Sequence, residues 1–144
     1  MNTQSLPTSR PGLSLTLYPD HEALHITDEL QQLELVGARV PFGVAPGDRS
    51  AGSWLETCAA EEGFRLVTLA MDGVLVGFVA GVVGPARVEL RHLTMAASVR
   101  TRHPELVDLL GEALVESSQL PWAEVRVAPT CPALAHLASD PVNV

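Results

Sequence analysis

Lysine is absent from this chain; all nine of its basic residues are arginine. That excludes Schiff-base chemistry and a lysine general base. Aromatic residues are scarce, at 4% against a hydrophobic content of 47%, so the core must be built from Leu, Val and Ala. Two cysteines, Cys58 and Cys131, are too few and too far apart for a disulfide framework or a zinc knuckle. No apolar run reaches membrane-spanning length, since Val74–Val83 is short and broken by glycine. Residues 1–11 lack the apolar stretch of a secretory signal and read as a mobile tail, so the expected location is cytoplasmic. Positive charge is also short. A formal net charge of −8 argues against nucleic acid or an anionic membrane as partner, because both need a broad basic face.

What remains is 144 residues, enough for one domain with a real core. Leu13–Leu17 alternates strictly and predicts a strand with one buried face. Pro19-Asp20 opens a helix that runs to about Val36, with Asp20 as N-cap. Val40–Gly47 reads as loop, and Ser50–Glu62 as a helix closed by Gly63. Phe64–Ala70 and Val74–Val83 are strands joined by a tight Asp72-Gly73 hairpin, and Gly84-Pro85 turns into a third. Glu124–Val127 is a further strand and Pro132–Ala138 a short helix. This order predicts a mixed α/β layout on one sheet.

Val88–Leu114 carries the most information, reading as strand, basic turn, helix. The strand reaches Val99, and Arg100-Thr101-Arg102-His103-Pro104 follows. Leu106, Leu109, Leu110, Ala113 and Leu114 then fall at i, i+3, i+4, i+7 and i+8, with Val107 beside them, the stripe of a helix burying one face. Basic residues beside a helix start make a place for an anion. Strand parity also slips here: Val88 and Leu90 are even, Leu93 and Met95 odd. One extra residue near Arg91-His92, a β-bulge, produces such a slip, and so does a strand buried on both faces.

The stretch Phe64–Phe78, with Asp72-Gly73-Val74-Leu75-Val76-Gly77-Phe78 at its turn, resembles a hairpin of the GNAT superfamily of acyl-CoA-dependent N-acetyltransferases, and Leu93-Thr94-Met95 resembles that family's fourth-strand core. The likeness spans roughly residues 13–142. It implies an α/β fold: a single-domain, mixed, mostly antiparallel sheet flanked by helices, its C-terminal strands truncated. It also implies transfer of an acetyl group from acetyl-CoA to an amine of a small molecule or peptide. Leu93, Thr94, Met95 and Val99 are then the candidates for the thioester and pantetheine arm, through backbone amides from Met95 to Val99. Arg100, Thr101, Arg102 and His103 are the candidates for the pyrophosphate. The family's turn is R/Q-x-x-G-x-G/A; counted from Arg100 its glycine positions hold His103 and Glu105, and counted from Thr101 they hold Pro104 and Leu106. A leucine stands where the family often has a tyrosine on its last helix, with His136 one place away. These departures leave open a second reading, a catalytically inactive GNAT-like binding or regulatory module.

Glu89 and His92, near the parity slip, are the candidate general bases, and His136 is a third catalytic candidate. Glu89 and His92 read also as part of an exposed strand face, charged beside Arg87 and Arg91. His21-Glu22-Ala23-Leu24-His25 matches H-E-x-x-H, the pattern of two imidazoles on one helical face. No third ligand follows, and Asp28 and Gln31 stand where the longer form has glycine and histidine, so no metal is expected. Cys131 and His136 are five apart and do not face each other on a helix. Trp54 and Trp122 read as core or interface anchors. A sheet ending early leaves an open edge, which suggests a homodimer.

Overall fold

Leu15 and Leu17 are buried while Ser14, Thr16 and Tyr18 are more exposed, the alternation of a strand with one core face. In a computed structural model, which describes residues 4–6, 11–19, 26–41, 58–119 and 124–138, this strand is β2 (Leu13–Pro19) of a seven-stranded sheet. The others are β1 (Gln4–Leu6), β3 (Val40–Pro41), β4 (Phe64–Met71), β5 (Val74–Val83), β6 (Arg87–Met95) and β7 (Glu124–Val127). Their order is β1-β2-β4-β5-β6-β7, with β3 against the start of β5, and every pairing is antiparallel except β6–β7. The helices lying wholly within the described residues are α1 (Thr27–Val36), α2 (Ala97–Arg102) and α3 (Glu105–Ser117), followed by a 3₁₀ turn at Pro132–Leu137. This is a single-domain mixed sheet flanked by helices.

Residues directly opposite one another in an antiparallel sheet share a face, so the register sorts the side chains. Thr16, Thr68, Phe78 and Thr94 form one row across four strands. Tyr18, on the same face of β2, feels the charge of Glu29 on α1, so this is the α1 face. Gly77, opposite Met95, has the other orientation. A Cβ built there would lie 3.2 Å from Leu110 Cδ1, which makes that side the α3 face. Leu106, Leu110 and Leu114 on α3 are all buried against it, the stripe that the periodicity predicts.

Asp72 and Gly73 both have positive φ, 53° and 80°, as a two-residue hairpin of this twist requires. The parity slip is a bulge: Ala80 pairs with His92 and Gly81 with Leu90, leaving Arg91 as the extra residue. Gly81 is glycine because a Cβ would sit 2.3 Å from the Glu89 carbonyl oxygen. A second irregularity falls at Val76 on β5, between Leu69↔Gly77 and Ala70↔Leu75.

Several expectations change. Gln4–Leu6, read as part of a mobile tail, pairs with β2 from Gln4↔Leu17 to Leu6↔Leu15. Val40–Pro41, read as loop, is a short strand on β5. The strand read as reaching Val99 stops at Met95. The Ala96 carbonyl accepts from the amides of Val99 and Arg100, so the basic segment coils into α2 and drives Val99 into the core. The helix before Gly63 ends at Ala59 rather than Glu62, in a turn where Gly63 takes φ +85°. Asp20, His21–His25, Trp54, Trp122 and Pro141–Val144 lie outside the described residues.

Candidate functional site

A regular strand would place residues 89 and 92 on opposite faces. The extra residue at Arg91 instead puts both Glu89, opposite Val82, and His92, opposite Ala80, on the α1 face. The bulge therefore brings together the two bases singled out in the sequence. They are not equivalent. The carboxylate of Glu89 accepts a hydrogen bond from Nε of Arg91, whose Nη1 donates to Oε2 of Glu61 at 2.6 Å. Burial works against the charge of Arg91, but these two carboxylates outweigh it and raise its pKa. His92 is half-buried; burial first, and then the charge of Arg91, lower its pKa below 6.5. Both effects favour the neutral imidazole, the form that takes up a proton.

The same bulge sits where β6 loses a neighbour. Parallel pairing ends at Leu90↔Val127, because Pro129 turns the chain away with Cys131 N–H closing back to the Ala128 carbonyl at 3.0 Å. The departing segment ties itself to β6: the Ala128 amide donates to Leu90 O at 2.8 Å and Thr130 Oγ1 to Arg91 O at 2.5 Å. Buried Cys131 donates its thiol to Leu90 O, and burial raises its pKa. Beyond this clasp no described strand borders β6. Ala96 N–H donates to Val76 O, which sets the phase of the ladder. Leu93 and Met95 consequently turn their N–H and C=O groups to the vacated edge.

That narrows the expected donor run. Of Met95 to Val99, the amide of Ala96 is spent on β5, that of Ala97 on Gly37 O, and that of Val99 on Ala96 O, while the exposed Ser98 amide has no backbone acceptor among the described residues. The displayed groups belong to Leu93 and Met95. Thr94 points its side chain to the α1 face beside His92. Arg100, Thr101 and Arg102 are exposed on α2, where Thr101 Oγ1 bonds back to Ala97 O, and neither arginine has an ion-pair partner among the described residues. His103 stands 3.5 Å from a Glu105 carboxylate oxygen.

His136 is brought nowhere near the bulge's α1 face. It lies on the 3₁₀ turn that packs on α3, its Nε2 2.7 Å from Oδ1 of Asp108, a contact that joins the two elements. An open cleft of about 350 Å³, lined in part by Val82, Arg87, Glu89, Arg91 and Glu124, lies beside the bulge. The register puts Val82 and Glu89 on the α1 face, the face that also carries His92, which is not part of the lining. The sequence alone did not reveal it, because it depends on β7 pairing parallel to β6. Among the described residues no three His, Cys, Asp or Glu side chains gather as a metal site, and no helix is long and apolar enough to cross a membrane.

No family model matches the sequence, and no curated protein is similar to it. Solved structures are. A ribosomal-protein-alanine N-acetyltransferase from Brucella melitensis biovar Abortus 2308 superposes with a TM-score of 0.55 at 16% identity, over 87% of this chain and 86% of that one. A probable GNAT-family acetyltransferase from Chromobacterium violaceum ATCC 12472 gives 0.56 at 13% identity, covering 92% and 80%. An aminoglycoside acetyltransferase from an uncultured soil metagenomic sample, in complex with sisomicin, gives 0.53 at 9% identity, covering 88% and 84%. The chain has the GNAT fold, in a divergent form.

Proposed function

We propose that the protein transfers an acetyl group from a pantetheine thioester to an amine of a small molecule or peptide, acetyl-CoA being the donor the resemblance implies. The observation that carries this reading is the vacated edge of β6 at Leu93 and Met95, beside a bulge that holds His92, whose burial disfavours its charged form. Amide groups displayed in this way align an extended arm and stabilise the negative charge that develops on a thioester oxygen. The amine nitrogen attacks the carbonyl carbon; the C–N bond forms, the C–S bond breaks, His92 takes the amine proton, and the sulfur is protonated from solvent and leaves as a thiol. The 350 Å³ cleft receives the acceptor. The reading uses no metal, nucleic acid or membrane.

The Brucella protein is named for ribosomal-protein alanine, and the soil protein was solved with sisomicin. A peptide with N-terminal alanine and sisomicin are therefore the first acceptors to assay, by release of free thiol. His92→Gln should lower kcat about 10²- to 10⁴-fold while the KM for the donor holds, the range for loss of a general base. Because the pKa of His92 lies below 6.5, the acidic limb of the wild-type rate profile should fall below that pH and vanish in the variant. Wild-type turnover in His92→Gln would remove His92 from the chemistry. Saturable donor binding without thiol release from any acceptor would favour a non-catalytic binding module.

Among the described residues β7 has a neighbour on one edge only, a liability that partners commonly cover. The protein is expected to be a homodimer, and sedimentation velocity showing only monomer at high concentration would sink that expectation.

A further inference from the structure

Coenzyme A ends in a diphosphate and a phosphorylated nucleoside, and the two ends of the candidate donor site treat such a molecule differently. A diphosphate is held by several converging N–H groups at a helix start, assisted by basic side chains. Here most of those donors are already spent, and in the first turn of α2 the exposed Ser98 amide alone has no backbone acceptor among the described residues. The amides of Ala97, Val99 and Arg100 bond to backbone carbonyls, and so do those of His103, Leu106 and Val107. Pro104 has none to offer. The positive end of α3 is met by its own acids: Glu105 faces His103, and Asp108 faces His136.

Arg100 and Arg102 remain, exposed and without ion pairs among the described residues. Two residues apart on a helix, they project to different sides, so a given phosphate meets one of them. The space past His103 is a cleft of about 210 Å³ whose lining includes Gly12, Asp72 and Leu106; its one carboxylate opposes further phosphate. The residues at this end do not fit a diphosphate. The vacated edge of β6, by contrast, fits the amide-bearing arm.

We infer that the site selects an acyl-phosphopantetheine thioester and does not grip the nucleotide end of coenzyme A. This rests on the acyl-transfer reading above. The atoms that react are unchanged: the acyl carbon passes from the pantetheine sulfur to the amine nitrogen, and the sulfur departs as a free thiol. Such a thioester comes either free, as part of acetyl-CoA, or tethered to a carrier protein.

The test is calorimetric titration with acetyl-CoA, S-acetyl-4′-phosphopantetheine and S-acetyl-pantetheine. The first two should bind within about threefold of each other, and Arg100→Ala/Arg102→Ala should weaken both by a similar factor. Acetyl-CoA binding about tenfold or more tighter than S-acetyl-4′-phosphopantetheine would overturn the inference while leaving acyl transfer intact. Failure of all three to bind would instead overturn the acyl-transfer reading. A second variant restores the missing donors: His103→Gly/Glu105→Gly should gain affinity for acetyl-CoA by about fivefold or more, with no change for S-acetyl-4′-phosphopantetheine. No gain, or an equal gain for both, would count against the inference. Thiol release from a carrier protein charged with acetyl-phosphopantetheine, compared with acetyl-CoA, identifies which source serves.

Discussion

Deleting Arg91 should cost about 5 kcal/mol or more, on the order of the whole stability of a domain, whereas Arg91→Ala should cost about 1 kcal/mol or less. The contrast separates backbone from side chain. The side chain makes ion pairs with Glu89 and Glu61 but is 29% exposed, and pairs of that kind contribute little. The residue itself is the insertion that lets two buried sets coexist on one strand. Without it, one half of β6 slips by one position and every side chain there changes face. If the first half moves, Val88 and Leu90, both at 0% exposure, leave the α3 core and Glu89 enters it. If the second half moves, buried Met95 leaves that core and His92 and Thr94 take its place. Both routes put polar groups where they find no partner. Urea denaturation followed by circular dichroism measures the two variants side by side. A deletion variant as stable as Arg91→Ala would show that β6 does not depend on the extra residue.

The bulge was legible because hydrophobic parity is a strict code in a one-sided strand: even at Val88 and Leu90, odd at Leu93 and Met95. The Asp72-Gly73 hairpin was legible for a related reason, since few residue pairs adopt two successive positive φ values. The end of β6 was not. Arg100, Thr101 and Arg102 carry no strong signal for turn or helix, and α2 is fixed by tertiary contacts, with Val99 in the core and Ala97 bonded to Gly37. Gln4–Leu6 escaped for a similar reason: an edge strand of three residues borrows its order from β2 and has no periodicity of its own.

At the site, the sequence named Glu89 and His92 but not the ion-pair cluster around Glu89, because that depends on Glu61, 30 positions from Arg91 in the chain. It also could not place His136, whose partner Asp108 lies on a different helix. The glycine-poor turn was visible from the start. Its consequence, amides consumed by helix bonding, needed the backbone.

Phe78→Ala should cost about 3–5 kcal/mol, with Phe78→Leu held to about 1.5 kcal/mol or less. The ring is at 0% exposure in the middle of β5, in the row shared with Thr68 and Thr94, and α1 packs against that strand. Truncation removes its transfer free energy and leaves a cavity that flanking strands, fixed by their ladders, cannot close. For a chain of this size that corresponds to a fall in melting temperature on the order of 10 °C by calorimetry. The site feels the same change. Phe78 is the diagonal neighbour of His92 across the β5–β6 pair, close enough for an aromatic side chain to help keep water from the imidazole. Burial is the leading cause of the lowered pKa of His92, so opening the cavity should raise that pKa towards 6.5. The shift has a definite sign in stability. A histidine with a depressed folded pKa favours the native state as pH rises towards 6.5 and loses that contribution as pH falls. The variant should therefore lose less stability than wild type between neutral pH and pH 5, beneath its larger constant loss. An NMR titration of His92 in both proteins reads the shift directly, and an unchanged pKa in Phe78→Ala would show that another element, such as α1, supplies the desolvation.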